Sequence, residues 1–239
     1  MKRGFSIFEL YAGLSAKRVG LVLAVMTVIE LLLFWVFALS ADVWTFDEGV
    51  RSARISLVFF LAYMAMFWAL GWYSVRGSGR WTMQRLGISE KRCALIQIVY
   101  NALCFILFHL FQAVLLLLMA KLFAGSPLYA EGPQGIFFDI KTNYFLCRML
   151  SLREWTIILS NLVLILVSAA SAAHMSVLLR NGKAPILSVI CAALVAAAFT
   201  PAVEDLLLWI SLALALLLSV CVCIYHMFGI ACGDSGQVR

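Results

Sequence analysis

The chain has 239 residues, 64% of them hydrophobic and 13% charged, with 18 basic against 12 acidic side chains and a net charge of +6. Soluble domains lie near half apolar and a quarter charged, so a mean hydropathy of +1.02 excludes an aqueous globule and makes lipid the solvent. The basic excess then reports sidedness in a bilayer and requires no nucleic acid.

The N-terminal stretch MKRGFSIFELYAGLSAKRVG starts like a signal peptide, but Glu9 interrupts its apolar part and Lys17 and Arg18 precede the first long apolar run. It is expected to be retained. Residues 5–16 carry Phe8, Tyr11 and Leu14 at helical spacing, followed by Lys17 and Arg18. That pattern predicts an amphipathic helix lying in the inner interface before the chain turns into the membrane.

A hydrocarbon core of about 30 Å needs roughly 20 apolar residues per helix. Six stretches meet or approach this, at about 19–40, 55–75, 93–120, 155–179, 184–200 and 206–228. Backbone groups at membrane depth must be satisfied internally, and the ten-residue alternation of a barrel is absent, so all six are predicted to be helices. The expected fold is one all-α integral membrane domain over residues 1–239.

Glu30 falls near the centre of the first span, where a charge costs about 2.5–3.5 kcal/mol on insertion scales. It either lines a pathway or is hydrogen-bonded between helices. The third span carries Gln97, Asn101, His109 and Gln112 at steps of four, eight and three residues, which keeps them on one stripe. Such a stripe avoids lipid, and it either joins helices by hydrogen bonds or lines a wet cavity. In the fourth and fifth spans Ser168, Ala169, Ala172 and Ala173, then Ala192, Ala193, Ala196 and Ala197, give small-xxx-small spacing for close packing.

The connections are short except for an outer loop over about 121–153. Its latter part, TNYFLCRMLSLREW, puts Phe145, Met149 and Leu152 on one helical face, as an interfacial helix or an early start to the fourth span. RNGKAP (180–185) reads as an Asn-Gly turn with Pro185 at a helix start, and TPAVED (200–205) as a tight outer turn.

Even span number puts both termini on one side. With the N-terminus inside, inner segments hold 12 of the 18 basic residues and only Glu9, Glu90 and Asp234 as acids, so positive-inside makes both termini cytoplasmic. The stretch VRGSGRWTMQRLGISEKR (75–92) is then the most basic inner segment, with Arg76, Arg80, Arg85, Lys91 and Arg92 against Glu90. It also carries Trp81, Met83, Leu86 and Ile88, more apolar surface than a solvated loop needs.

No chemistry of the chain's own is expected. There is no P-loop motif, and GDSG (233–236) has no partner base in its tail. Phe105 and His109 are similar to the F-x-x-x-H element of membrane-embedded CAAX-type proteases, but the adjacent glutamate pair of those enzymes is missing. Seven cysteines, odd in number and without a C-x-x-C pair, support neither disulfides nor zinc. His174 and His226 read as polar caps near span ends.

The six-helix layout, the N-terminal inner helix and the segment RWTMQRLGISEKRCALIQIVYNALCFILFHLFQ (80–112) resemble the bacterial ATP-binding-cassette (ABC) type-2 exporter permeases. NYFLCRMLSLREW leading into the fourth span is similar to them as well. The resemblance implies that residues 76–92 are a coupling helix docking on a separate ATPase subunit. Trp81, Met83 and Leu86 would be its apolar anchors, and Arg80 and Arg85 would face acidic groups there. The bland alternative is a basic loop on anionic lipid. It also implies a second permease copy, as homo- or heterodimer, with ATP and Mg held by the ATPase and an amphipathic cargo such as a peptide, antibiotic or lipid-like molecule. The family's re-entrant helices between the fifth and sixth spans have little room in TPAVED. The competing class is a non-transporting membrane protein: a sensor, an assembly factor or an intramembrane hydrolase.

Overall fold

The structure, a computed structural model, describes residues 2–38, 43, 45–72, 90–125, 141, 143–150, 155–180 and 182–199. Among these every regular element is a helix: α1 (Lys2–Ala38), α2 (Phe46–Ser52), α3 (Ile55–Trp72), α4 (Glu90–Ala124), α5 (Tyr144–Leu150), α6 (Trp155–Arg180) and α7 (Ile186–Ala198). Four stretches are long and apolar enough to cross a membrane: Phe8–Phe37, Ile55–Trp72, Arg92–Ala124 and Ile157–Leu179. The predicted sixth span (206–228), most of the basic 76–92 segment and most of the 121–153 loop lie outside the described residues.

α6 is the central helix. It packs on α3, α4 and α7, and 61% of its most apolar stretch is buried, against 17% for α1 at the periphery. Facing residues give the directions. Tyr63 and Phe59 of α3 meet Phe105 and Phe108 of α4, so these two are antiparallel. Ser15 and Glu30 of α1 meet Tyr100 and Gln112 of α4, so these two are parallel.

α1 differs from expectation. No break separates an interfacial helix from the first span: 37 residues form one helix, about 55 Å at 1.5 Å per residue, well beyond a hydrocarbon core of about 30 Å. The reason is tertiary. Tyr11 and Ser15 are wholly buried against α4, where Phe8 and Tyr11 pack on the ring of Tyr100 at 5.2 and 6.2 Å. Ser15 Oγ donates to the Tyr11 carbonyl (2.9 Å) and accepts from the Tyr100 hydroxyl. Of the face assigned to the bilayer surface, Phe8 and Tyr11 are used on a neighbouring helix, while Leu14 stays exposed.

The fifth predicted span is also shorter than its 184–200 window. α7 has 13 residues, about 20 Å, and closes at Phe199, whose N–H reaches the Ala196 carbonyl at 3.2 Å. Before it, α6 ends as the sequence suggests. Gly182 takes φ +67°, its N–H reaches the Leu179 carbonyl (3.2 Å), and the Lys183 N–H reaches that of Leu178 (2.9 Å). Buried Ala169, Ala172 and Ala173 of α6 and Ala192 and Ala196 of α7 let the hairpin close, and His174 Nδ1 meets Ser188 Oγ at 2.9 Å.

Two short helices cap one end of the bundle. Thr45 Oγ1 caps α2 through the Glu48 N–H (3.3 Å), and Asn143 Oδ1 caps α5 through the Leu146 N–H (2.9 Å). Asn143 Nδ2 also donates to Asp47 Oδ1 (2.9 Å), tying the two together, while Asp47 Oδ2 pairs with Arg51 at 2.8 Å. Phe145 and Leu146 of α5 are buried, and Phe145 meets Phe59 edge-on at 5.3 Å. α5 therefore turns Phe145 and Leu146 inward rather than to the bilayer surface.

Candidate functional site

The candidate site is built on α4, whose polar side chains reach three different neighbours. Gln97 Nε2 donates to Ser176 Oγ of α6 (2.9 Å), and that hydroxyl donates back to Gln97 Oε1 (3.2 Å). One turn on, Asn101 Nδ2 donates to the Ala169 carbonyl of α6 (3.2 Å). Gln112 Nε2 turns to α1 and lies 2.9 and 3.1 Å from the two carboxylate oxygens of Glu30. All four side chains, Glu30, Gln97, Asn101 and Gln112, are fully buried. Lipid offers no competing hydrogen bonds, so the sequence confines these residues to helix–helix seams.

His109 sits between these groups in a box of rings. Phe199, just past α7, lies 4.6 Å away, with Tyr63 at 5.8 Å and Phe59 at 5.9 Å, both edge-on. Its Nδ1 is 2.7 Å from the Phe105 carbonyl, which can only accept, so Nδ1 carries the hydrogen, which in a neutral ring leaves Nε2 as the acceptor. Beside it Tyr63 and Ser168 share a 2.6 Å hydroxyl–hydroxyl bond. Four buried polar atoms have no partner among the described residues: Asn101 Oδ1, His109 Nε2, Gln112 Oε1 and Ser171 Oγ. A buried group left without a partner costs about 1–3 kcal/mol, so such atoms mark places where a water, a proton or a rearrangement is accommodated.

Every member of the predicted polar set is therefore bonded across helices or enclosed by aromatic rings, but as two groups. Gln97 and Asn101 serve the α4–α6 seam, and Glu30 with Gln112 serves the α1–α4 seam. The predicted ATPase-coupling residues Arg80, Trp81, Met83, Arg85 and Leu86 lie outside the described residues, as does His226. His174 is 5% exposed and bonded to Ser188 rather than capping a span end. Sequence reasoning passed over Tyr63, Ser176 and Phe199, and read Ser168 only as a small packing residue. Ser168 and Ser176 fall eight residues apart, which is a signal for one helical face, but Tyr63 and Phe199 are indistinguishable in sequence from lipid-facing aromatics.

Among the described residues no three His, Cys, Asp or Glu side chains converge as metal ligands. Among the described residues Cys93, Cys104, Cys147 and Cys191 are not joined in disulfides. Compared with known proteins, the chain matches no protein-family model, no curated protein and no solved structure. The classification rests on architecture: with helices throughout its described residues and four stretches long and apolar enough to cross a bilayer, this is a multi-pass membrane protein.

Proposed function

We propose that the chain is the permease subunit of a bacterial ABC-type exporter, embedded in the cytoplasmic membrane with six spans and both termini inside. It works with a second permease copy and a separate ATPase chain that binds ATP and Mg. The ATPase pair closes on nucleotide, draws the coupling helices together and switches the bundle between two states facing opposite sides, carrying an amphipathic cargo.

One observation carries this reading: the amphipathic basic segment 75–92 connects the end of α3 to the start of α4. The helix directions support it, because the starts of α1, α4 and α7 and the ends of α3 and α6 share one end of the bundle. Exposed Lys17, Arg18, Arg92 and Lys183 belong to that half, as positive-inside requires. A docking partner explains Trp81, Met83 and Leu86, which sidedness alone does not.

Affinity purification in mild detergent tests it. A P-loop ATPase is expected to co-purify with the chain, and Trp81→Asp with Leu86→Asp is expected to release it while the spans stay folded. Purification without an ATPase, or a double variant that binds and stimulates it normally, would sink the reading.

A further inference from the structure

Glu30 is the one carboxyl among the described residues that is both fully buried and within a membrane-crossing stretch. It lies 12 residues beyond Arg18 and 8 before Ala38, about 18 and 12 Å along the helix, which puts it deep in the hydrocarbon layer. Met26 and Phe34, one turn to either side on the same face, are each 1% exposed. Beyond Phe34 the way to the capped end is filled by three rings, Phe34, Phe46 and Phe123, with centroids 6.0 to 6.4 Å apart. Among the described residues no cation forms an ion pair with the carboxyl. Among the ionisable groups on the elements packed against α1, Asp47 and Arg51 of α2 pair with each other. Tyr63 of α3 bonds to Ser168, Tyr100 of α4 to Ser15, and His109 to its own helix.

Among the described residues Gln112 is the hydrogen-bonding partner of Glu30, and its geometry suits both forms of a carboxyl. Nε2 spans the two oxygens and donates to a carboxylate. Oε1 is buried and unpartnered. Half a turn about the Cγ–Cδ bond exchanges the two ends and offers an acceptor to the O–H of a carboxylic acid. A purely structural tie would need only one of these arrangements.

We propose that Glu30 is a proton-binding site inside the membrane, with Gln112 as the amide that pairs with it in either state. A proton adds to a carboxylate oxygen and leaves from it, and no other bond is made or broken. The site is independent of the transporter reading, because it concerns α1 and α4 alone.

A carbodiimide reports the proton directly: a carboxylic acid adds across the reagent and rearranges to a stable N-acylurea, whereas a carboxylate without a proton does not. The full chain in phosphatidylcholine vesicles would be treated with dicyclohexylcarbodiimide from about pH 5 to about pH 10, and the adduct located by peptide mass spectrometry. The expected result is an adduct on Glu30 whose yield falls about tenfold per pH unit above a single midpoint. It should be lost in Glu30→Gln and not formed by a water-soluble carbodiimide. Gln112→Met should raise the yield at alkaline pH, since the carboxylate then lacks its N–H donor; should that variant misfold, the wild-type profile decides alone. No adduct on Glu30 at any pH, a yield that ignores pH, or suppression by sodium at constant pH would overturn the proposal.

Discussion

Gln112 Nε2 lies within 3.1 Å of both carboxylate oxygens of Glu30, joining α4 to α1 deep in the bundle. In lipid no hydrophobic force holds two helices together, so contacts of this kind and close packing must do it. α1, the most peripheral of the four long helices, is also tied to α4 by the Ser15–Tyr100 pair.

Removing one partner should therefore cost more than removing both. Gln112→Leu leaves the Glu30 carboxyl buried and unpaired and should destabilise the protein by about 1–3 kcal/mol. Adding Glu30→Leu should recover most of that loss. Unfolding in denaturing detergent, followed across the four members of the cycle, measures it, and additive losses would show that the two side chains do not act as a pair.

Tyr63 and Ser168 tie α3 to the central α6 by a neutral bond. Interhelical bonds of this type average about 0.6 kcal/mol and reach about 1.7. A coupling energy in that range is expected from a cycle of Tyr63→Phe and Ser168→Ala. A value near zero would mean that the aromatic box around His109, not the hydroxyl pair, holds α3 in place.

The corner between α2 and α3 turns on Arg54, whose φ of 53° is left-handed. Left-handed backbone costs an L-residue roughly 1–2 kcal/mol, and glycine escapes it at an unfolded-state entropy cost of about 0.5–1. Arg54→Gly should be neutral to stabilising by up to about 1 kcal/mol, and Arg54→Val clearly destabilising. Thermal unfolding should rank them Gly, Arg, Val, and a Val variant as stable as wild type would refute the strain.

Cys147 reports on the α2–α5 cap. Burial raises its thiol above the ordinary range, Lys141 works against this, and Sγ donates to the Lys141 carbonyl at 2.8 Å. A raised thiol holds less thiolate at a given pH, so maleimide labelling should be slower than for an open thiol near neutrality and should climb as pH passes above the usual thiol value. Asp47→Ala removes the bond to Asn143 and should speed labelling several-fold. Cys221, Cys223 and Cys232 would first be replaced by Ser. Unchanged kinetics would show that the Asp47–Asn143 bond does not hold the cap shut.

Much of this protein was legible before any tertiary information. Apolar runs of about 20 residues can satisfy their backbones in lipid only as helices, and four of the six expected spans are long apolar helices among the described residues. The stripe Gln97, Asn101, His109 and Gln112 was legible because a polar group at membrane depth must face protein, and Gly182 with Pro185 marked the α6–α7 turn through local backbone preference alone.

What the chain could not declare was which partner each side chain finds. Apolar residues on a membrane helix look the same whether they meet lipid or another helix. Phe8 and Tyr11 therefore read as an interfacial face until Tyr100 was seen to receive them, and Phe145 likewise until it met Phe59. Periodicity fixes a direction around one helix axis but not the helix lying in that direction, and this is why one stripe on α4 divides between α6 and α1. The pairing of Glu30 with Gln112, 82 residues apart, belongs to that second kind of information. Only the packing of α1 against α4 could supply it.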